Sequence, residues 1–437
     1  MPMQAPTGTA DLLPALASKW RKISEQAALV FSRYGYQPIE TPTFEQLDVF
    51  ARGIGEATDV VGKEMFLVFS QQSLAAFRVN ESLQASDTLA LRPEGTAGVT
   101  RAVVQHQLVQ AGASALKVFY AGSMFRYERP QKGRLREFHQ IGAECIGAAE
   151  PTADAEVIEM MIRFFEHLGI PQESMRVLLN SMGDDQCRPA YREQVHQFIR
   201  AHDELCPDCQ RRADTNPLRA FDCKNDRCQQ IMMAAPRITD ALCPACAEHY
   251  STVKQLVLAS GIDFEEDYRL VRGLDYYTRT VFEVQVDLGL GSQNAIGGGG
   301  RYDKLIEAYD GLPTPGLGFA IGFERIAMVL DELKIDWAPL DVPQVYIAAV
   351  DASCRDTAFS TASELRAQGI SVELDHQARS LRSQFKAADK SGAAFTVVLG
   401  PDELAQGLAT LRNMATSVES QVALADLAYA INMGRES

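Results

Sequence analysis

Residues 125–144 read FRYERPQKGRLREFHQIGAE, and this stretch decides the fold. The runs on either side of its centre, KVFYAGSMFRY from Lys117 and HQIGAECIG up to Gly147, are short, apolar and aromatic, as strands are. Between them lies the polar segment PQKGRLR. The stretch therefore predicts a long β-hairpin with a basic loop at its tip.

Helical and strand-like segments alternate on both sides of this hairpin. Apolar residues at helical spacing, early acids and a closing glycine predict helices, whereas short runs of β-branched and aromatic residues predict strands. The predicted elements are a helix over Leu16–Tyr34, a helix over 151–168, a strand over Thr280–Val286, a glycine turn over Gly297–Gly300, a helix near Asp303–Tyr309, and small residues that become a helix over Leu317–Leu333.

The chain changes character twice along its length. Residues 181–267 are charged, rich in cysteine and helical only in pieces, which indicates a domain inserted between 1–180 and 268–337. After the proline-bounded segment 339–343, the runs VYIAAV, VELD and TVVLG alternate with helical sequence. That alternation is the βαβ pattern of a compact α/β domain, here over 342–437.

Length and composition narrow the class of protein. A chain of 437 residues is long enough for two to four domains, and its net charge of −15 argues against a basic coat that binds nucleic acid non-specifically. No apolar stretch approaches the ~20 residues of a membrane span, and no export signal is visible at the N-terminus. We expect a protein of the cytoplasm, in which cysteines serve as thiols or metal ligands.

The hairpin loop concentrates positive charge. Five cations fall within eleven residues: Arg126, Arg129, Lys132, Arg134 and Arg136. The planar guanidinium matches the oxygens of phosphate in a two-pronged contact, so ATP, the end of an RNA, or both fit this loop. A solvated hairpin tip would have the same composition.

Polar groups recur on the strands and turns around the hairpin. Glu94 and Thr96 stand in the turn RPEGT, and Gln140 and Glu144 lie an even spacing apart, which puts both on one face of their strand. Such a pair on an inner face needs a ligand or a satisfied structural partner. The glycine-rich segments lack the spacing of a P-loop and of a dinucleotide-binding turn, which excludes both nucleotide-binding classes.

Six of the nine cysteines lie between Cys206 and Cys246. Cys206–Cys209 and Cys243–Cys246 form two CxxC knuckles, a pattern typical of zinc sites in proteins without disulfides. A tetrahedral Zn²⁺ takes four ligands, so the knuckles are predicted to supply all four and Cys223 and Cys228 to be bystanders. Reduced thiols that pack a small subdomain are the alternative.

These motifs resemble those of histidyl-tRNA synthetases, a family of class II aminoacyl-tRNA synthetases. Phe125–Glu144 is similar to motif 2 of that class, Gly316–Ile326 to motif 3, and Pro42 in IETPTFE to the motif 1 proline of the dimer interface. The segments LVRGLDYYTRTVFE (270–283) and GGGRYDKL (298–305) resemble the two signatures specific to histidine.

The resemblance implies an α+β fold: a class II catalytic domain built on an antiparallel six-stranded sheet, an inserted helical, cysteine-rich domain, and a C-terminal α/β anticodon-binding domain. It implies that the enzyme activates L-histidine with ATP and Mg²⁺, releasing pyrophosphate, and transfers histidine to the 3′ end of tRNA(His). It also implies a homodimer.

Roles for single residues follow from the same resemblance. Histidine would be held by Glu94, Thr96, Gln140, Glu144, Tyr276 and Tyr277. The α-phosphate of ATP would lie between Arg126 and Arg272, which are the catalytic residues, with Arg325 against the γ-phosphate. Removal of Arg272 should nearly abolish adenylate formation and leave histidine binding largely intact.

Contacts with tRNA are expected in two places. Arg129, Gln131 and Arg136 of the hairpin loop would meet the acceptor end. In the C-terminal domain Arg379, Arg382, Lys386 and Lys390 recur at spacings of one helical face, which predicts either a surface for anticodon-stem phosphates or a solvated stripe.

A catalytically silent relative, the histidine-sensing regulatory subunit of ATP phosphoribosyltransferase, is the alternative function. Such paralogues lose the first histidine signature and the anticodon domain. This chain keeps the segment RGLDYYTRT and has about 95 residues after the proline-bounded segment 339–343.

Overall fold

The computed structural model describes residues 3–55, 58–78, 88–110, 112–131, 133–271, 276–287, 294–335 and 342–436. The chain divides into two compact units, Met1–Ala338 and Pro339–Ser437. None of the described helices has both the length and the apolar character that crossing a membrane requires.

The described strands of the first unit are β1 (Gln37–Pro38), β2 (Phe44–Gln46), β3 (Leu67–Val68), β4 (Leu89–Leu91), β5 (Leu116–Phe125), β6 (Glu137–Ile146), β7 (Met175–Ser181), β8 (Glu265–Glu266), β9 (Thr278–Val286), β10 (Ala295–Arg301) and β11 (Gly316–Gly322). Its described α-helices are α1 (Pro14–Ser32), α2 (Leu47–Ile54), α3 (Asp59–Lys63), α4 (Gln71–Arg78), α5 (Thr96–His106), α6 (Pro151–His167), α7 (Arg188–Arg200), α8 (Pro207–Thr215), α9 (Asp226–Met232), α10 (Pro244–Ala259), α11 (Leu305–Ala308) and α12 (Phe323–Glu332).

A large sheet with the order β1-β5-β6-β11-β10-β9-β7-β8 forms the centre of this unit. The six strands from β5 to β7 in that order pair antiparallel throughout. The two-residue strands β1 and β8 are added at the edges in parallel pairing. The predicted class II fold with its six-stranded antiparallel sheet is thus confirmed.

The hairpin predicted from residues 125–144 supplies the second and third strands of this order. β5 and β6 pair from Leu116 opposite Ile146 to Phe125 opposite Glu137. One face of the sheet is covered by α1 and α6, whose buried side chains include Phe31 and Phe164. Ten paired residues on each strand make the hairpin long enough to cross the whole core.

The glycine run is a strand, not the turn predicted from its sequence. Gly297–Gly300 lie in β10, in the middle of the sheet between β9 and β11. A Cβ on Gly299 would overlap the carbonyl oxygen of Gly318, so the two strands approach too closely for any side chain. Composition alone indicated a turn because glycine is depleted in ordinary strands.

Helices α7 to α10 lie between β7 and the edge strand β8, inside the range predicted for the insert. The short 3₁₀ turns Pro217–Asp222 and Ile238–Asp240 connect them. Buried residues of α7, α8 and α9 form a core of their own, which continues into the main sheet through Leu178 and Val281. Helix α10 packs instead into the main core, through Tyr250, Val253 and Val257. The predicted domain limits 1–180, 181–267, 268–337 and 342–437 stay predictions.

The second unit is built on a five-stranded sheet with the order β13-β12-β14-β15-β16. Parallel pairing joins β12, β13 and β14, and antiparallel pairing adds β15 and β16. The strands are β12 (Val345–Ala349), β13 (Val372–Leu374), β14 (Phe395–Leu399), β15 (Leu408–Asn413) and β16 (Glu419–Ala423), and the described α-helices are α13 (Arg355–Ala367), α14 (Leu381–Ser391), α15 (Pro401–Leu404) and α16 (Leu427–Glu436). The α/β pattern predicted from the sequence is present.

A buried ion pair connects the sheet to two helices of the first unit. Arg301 at the end of β10 donates to both carboxylate oxygens of Asp154 on α6, and both side chains are at most 1% exposed. His249 on α10 places Nε2 3.3 Å from the same carboxylate. Burial alone would raise the pKa of Asp154, but His249 and Arg301 together hold it below its usual value.

We predict that Asp154→Ala lowers the free energy of unfolding by about 3 kcal/mol, because it removes the buried carboxylate that pairs with Arg301 and leaves that guanidinium only Asp303, at 3.2 Å, as an anionic partner. Urea denaturation followed by circular dichroism measures the change. Asp331→Ala is the matched control, since Asp331 is 70% exposed in its 2.8 Å ion pair with Lys19. The control should stay within about 1 kcal/mol of the parent. Equal losses in both variants would contradict the prediction.

Candidate active site

A cavity of about 320 Å³ opens on the central sheet beside the hairpin loop. Strands β6, β10 and β11, the start of α5 and the segment before β9 contribute to its wall. Seven of the residues predicted to bind histidine or ATP line it: Glu94, Thr96, Arg126, Gln140, Tyr276, Tyr277 and Arg325. The structure therefore brings these predicted residues, from five separate segments, to one cavity.

Glu94 is held by the first turn of α5. Its carboxylate accepts hydrogen bonds from the N–H groups of Thr96 and Ala97, both at 2.8 Å. The phenol of Tyr276 lies 3.5 Å from the same carboxylate. Burial raises the pKa of Glu94, against the two N–H donors that lower it. The side chain thus closes the helix terminus and presents an acceptor to the cavity.

Glu144 is 1% exposed and does not itself line the cavity, although its partners Thr96 and Tyr302 do. Thr96 donates its hydroxyl to Oε1 at 2.6 Å, and the phenol of Tyr302 donates to Oε2 at 2.5 Å. Burial is the main reason why the pKa of Glu144 is raised to about 8. All its side-chain hydrogen-bond partners in the described residues, including Tyr120, are neutral hydroxyls. This carboxyl group therefore keeps a proton below about pH 8, and a ligand's N–H group that donates to it would favour its ionised form.

Gln140 lies on the same strand as Glu144, four residues before it. Its Oε1 is buried without a hydrogen-bond partner in the described residues. A buried amide oxygen without a donor costs about 1–3 kcal/mol, and a ligand that donates to it recovers that cost. The cavity wall around it is formed partly by glycine backbone, including Gly298 and Gly318, so a flat ligand can approach the strands closely.

Two guanidinium groups face the same cavity. Arg126 donates from Nε to the carbonyl of Pro93 at 2.9 Å and lies over the ring of Phe138, 5.4 Å from its centroid. Arg325, in the first turn of α12, donates to the carbonyl of Ala295. Arg272, predicted to face Arg126 across the α-phosphate, lies outside the described residues. Lys132 of the loop does so too.

The loop residues predicted to contact RNA differ in their surroundings. Arg129 and Gln131 are exposed. Arg136 donates to the carbonyl oxygens of Glu128 and Thr7 and lies 4.0 Å from the ring centroid of Tyr127. These contacts hold the base of the loop, so Arg136 already has a structural role.

Sequence reasoning missed several residues that shape the cavity. Tyr302 lies within the glycine-rich signature but was not singled out, although its phenol donates to Glu144. Glu324 lines the cavity and accepts from the backbone N–H of His139 at 2.9 Å. Tyr302 and Glu324 each lie within a quoted motif, which was the available signal. Arg134, one of the five loop cations named from the sequence, lines the cavity as well and pairs with Glu128.

The predicted zinc ligand set is corrected by the structure. The two knuckles do not form one group; each joins a separate cluster of four side chains whose ligand atoms lie within 4.8 Å of one another. Cys206 and Cys209 gather with Cys223 and Cys228, and Cys243 and Cys246 gather with Asp184 and Cys187. The prediction was wrong because the chain between the two knuckles folds so that Cys223 and Cys228 lie beside Cys206 and Cys209.

The basic stripe of the second unit is also corrected. Arg382, Lys386 and Lys390 are exposed on α14, but Arg379 precedes that helix. The backbone N–H of Arg379 donates to Asp375 at 2.7 Å, and its guanidinium pairs with the same carboxylate. Spacing placed Arg379 on the helix because the helix start could not be fixed from sequence, whereas Asp375 holds it in the preceding loop.

Known proteins match this chain along almost its whole length. Residues 8–326 match the family described as Histidyl-tRNA synthetase, and residues 344–432 match the Anticodon binding domain. Among curated relatives, the histidine–tRNA ligase of Anaeromyxobacter dehalogenans is 45% identical over 97% of this chain and 98% of its own length. That of Desulforamulus reducens is 42% identical over 97% of both chains.

A solved structure is similar over almost the whole length. The crystal structure of apo S. aureus histidyl-tRNA synthetase has a TM-score of 0.80 and 33% sequence identity, and the match covers 98% of this chain and 99% of that one.

We predict that Glu144 makes the folded state less stable as pH rises from about 4.5, its ordinary pKa, to about 8, its pKa here. In this window the folded chain keeps a proton that the unfolded chain has released, so the free energy of unfolding falls with pH. Glu144→Gln should remove up to about 1.4 kcal/mol per pH unit of that slope. Tyr302→Phe removes a donor that favours the ionised form, and should extend the slope to higher pH. Urea denaturation at a series of pH values tests this; a difference between Glu144→Gln and the parent that is constant with pH would contradict it.

Proposed function

Because the chain belongs to the histidyl-tRNA synthetase family, it is an aminoacyl-tRNA synthetase that ligates histidine to tRNA, and we propose that the cavity on the central sheet is where histidine is activated. The alternative of a regulatory subunit is not favoured, since relatives named as ligases align over 97% of the chain and the anticodon-binding match is retained. The observation that carries the proposal is the buried set of acceptors on one cavity wall.

Histidine carries hydrogen-bond donors that suit the acceptors on this cavity wall. An ammonium group donates three hydrogen bonds and suits the carboxylate of Glu94, the hydroxyl of Thr96 and the unpartnered Oε1 of Gln140. An imidazole N–H suits Glu144, whose present partners are neutral hydroxyls. Tyr276 and Tyr277, with ring centroids 4.6 Å apart, would enclose the imidazole.

The guanidinium groups would hold the phosphates of ATP. The carboxylate of histidine attacks the α-phosphorus in line, pyrophosphate leaves, and the terminal ribose hydroxyl of tRNA then attacks the activated carbonyl. Charge builds up on the phosphate oxygens in the first transition state, so fixed cations lower its energy. Arg126 has this role in our proposal with Arg272, whose assignment rests on the resemblance, and Arg325 binds the γ-phosphate.

ATP and Mg²⁺ are general to class II synthetases, and the cavity suits the ion. Glu283 and Glu324 line it and provide the hard carboxylate oxygens that Mg²⁺ prefers alongside phosphate. When bound, Mg²⁺ neutralises charge on the departing pyrophosphate. Gln285 donates to Glu283 at 2.8 Å and His139 donates to Glu324, which fixes the orientation of both carboxylates.

The tRNA would be contacted at exposed cations. Arg129 and Gln131 of the hairpin loop are exposed, whereas the guanidinium of Arg136 already donates to backbone carbonyls, so we assign the acceptor end to Arg129 and Gln131 first. In the second unit, Arg382, Lys386 and Lys390 stand four residues apart on α14 and would face the phosphates of the anticodon stem.

A homodimer in the cytoplasm is part of the proposal. The motif 1 proline, Pro42, is exposed, and the neighbouring Phe44 is 52% exposed, which suits an apolar contact with a second copy. All nine cysteines are free thiols, as in proteins of a reducing compartment.

A structural zinc ion belongs to the proposal in its corrected form. Cys206, Cys209, Cys223 and Cys228 gather at the end of the insert, and the sulfurs of Cys206 and Cys223 are 3.7 Å apart. Zn–S bonds of ~2.3 Å in a tetrahedron separate two sulfurs by roughly 3.8 Å. The backbone N–H of Cys206 donates to the sulfur of Cys228 at 3.2 Å, which stabilises a thiolate.

Exchange of labelled pyrophosphate into ATP tests the activation step. Among the twenty amino acids, we expect histidine alone to support exchange. Arg126→Ala should lower the exchange rate about 10²–10³-fold by removing a fixed cation from the transition state, with histidine binding nearly unchanged. Arg272→Ala should behave alike. Arg33→Ala, at an exposed position after α1, is the control. Exchange at the parental rate in Arg126→Ala, or exchange supported equally by another amino acid, would refute the assignment.

Reversal of charge on α14 separates the two steps. Arg382→Glu combined with Lys386→Glu should raise the KM for tRNA at least tenfold through lost phosphate contacts and leave pyrophosphate exchange at the parental rate. The defect should grow less marked at high salt, because screening weakens the parent as well. Arg355→Glu, exposed on α13 of the same unit, is the matched control. An unchanged KM for tRNA would identify the stripe as a solvated helix face.

A further inference from the structure

We propose that Asp184, Cys187, Cys243 and Cys246 form a second Zn²⁺ site, which fastens the base of the inserted helices to the segment that carries Tyr277. Three thiols and one carboxylate are a ligand set that zinc takes in tetrahedral sites. The first zinc site uses none of these residues. Only the predicted effect on histidine rests on the proposed function.

Distances within the group match tetrahedral coordination. The sulfur of Cys187 is 3.5 Å from Oδ1 of Asp184, and the sulfur of Cys243 is 3.7 Å from the same atom. With Zn–S of ~2.3 Å and Zn–O of ~2.0 Å, a tetrahedron separates sulfur from oxygen by roughly 3.5 Å. All four ligand atoms lie within 4.8 Å of one another, so a single ion reaches every one of them.

The local backbone supports thiolates at these positions. The N–H of Asp184 donates to the sulfur of Cys187 at 3.3 Å. Cys243 directly precedes α10 and Cys246 lies in its first turn, so both sulfurs are presented from one helix start, as Cys206 and Cys209 are at α8. Cys187 and Cys246 are at most 4% exposed, which protects the group from solvent.

The group lies where the insert leaves and rejoins the sheet. Asp184 and Cys187 follow β7 and precede α7, whereas Cys243 and Cys246 begin α10, the last helix before β8. An ion bound here joins the two ends of an excursion of more than fifty residues. Closing a long loop restricts the unfolded chain and stabilises the fold by that route.

The same loop holds the start of β9. The guanidinium of Arg279 is 3.6 Å from Oδ2 of Asp184, and its backbone N–H donates to the carbonyl of Gly183 at 2.7 Å. The backbone of Arg279 has φ +46°, a conformation that residues other than glycine adopt only at an energetic cost. Arg188 donates to the carbonyl of Tyr277, which lines the cavity. A rigid metal loop would therefore position Tyr277 for the imidazole.

Charge at the group is consistent with an ion. Zn²⁺ with three thiolates and a carboxylate carries a net charge of −2, and a nearby cation stabilises such a partly buried site. Arg279 supplies one at 3.6 Å.

Zinc content of the full-length protein tests the proposal. Purified without chelators and measured by native mass spectrometry and elemental analysis, the parent should carry two Zn²⁺ per chain. Cys246→Ser and Cys209→Ser should each carry one, and Cys354→Ser, a buried cysteine of the second unit, should keep two. Histidine KM in pyrophosphate exchange should rise about tenfold in Cys246→Ser and stay near the parent in Cys209→Ser.

Several outcomes would overturn the second site. They are a parent with one Zn²⁺ that Cys209→Ser loses and Cys246→Ser keeps, a parent without zinc, and a mass two hydrogens lower that reports a Cys243–Cys246 disulfide. If Cys246→Ser is insoluble, zinc counts of the parent and of Cys209→Ser decide. Because metal content is read independently of catalysis, two Zn²⁺ in a chain that fails to activate histidine would support the site and reject the proposed function.

Discussion

The cavity exists because strands in the middle of the sheet carry no side chains where a ligand must lie. Gly297 and Gly298 on β10 and Gly318 on β11 line it, and a Cβ on Gly318 would overlap the carboxylate of Glu144. Glycine weakens a strand by its entropy and its missing packing. Here the other face compensates, since Ile296, Phe319 and Ile321 are buried against the helical layer.

A second constraint is that each buried polar side chain of the sheet needs a hydrogen-bond partner. Glu94 closes a helix terminus, and Glu144 is surrounded by hydroxyls. Gln140 keeps one acceptor unpartnered. An unpartnered acceptor in a cavity wall is expected of a binding site, because such an atom gains most when a ligand supplies its partner.

Stability in the first unit is concentrated at points where distant segments meet. Arg301 and Asp154 join β10 to α6, and His249 adds the last helix of the insert to the same pair. Each of the two cysteine clusters also brings together residues that are distant in the sequence of the insert. These contacts connect the inserted helices to the central sheet.

The sequence by itself determined the hairpin, the flanking helices, the α/β pattern of the second unit and seven polar or aromatic residues that line the cavity, because hydrophobic period, loop charge and family motifs are local properties. Only the tertiary structure decided the rest. Gly297–Gly300 proved to be a strand since close approach to β11, not local propensity, requires glycine. Arg379 was separated from the helical stripe by Asp375. The grouping of cysteines depends on how the chain between the knuckles returns, and spacing along the sequence carries no information on distance across a fold.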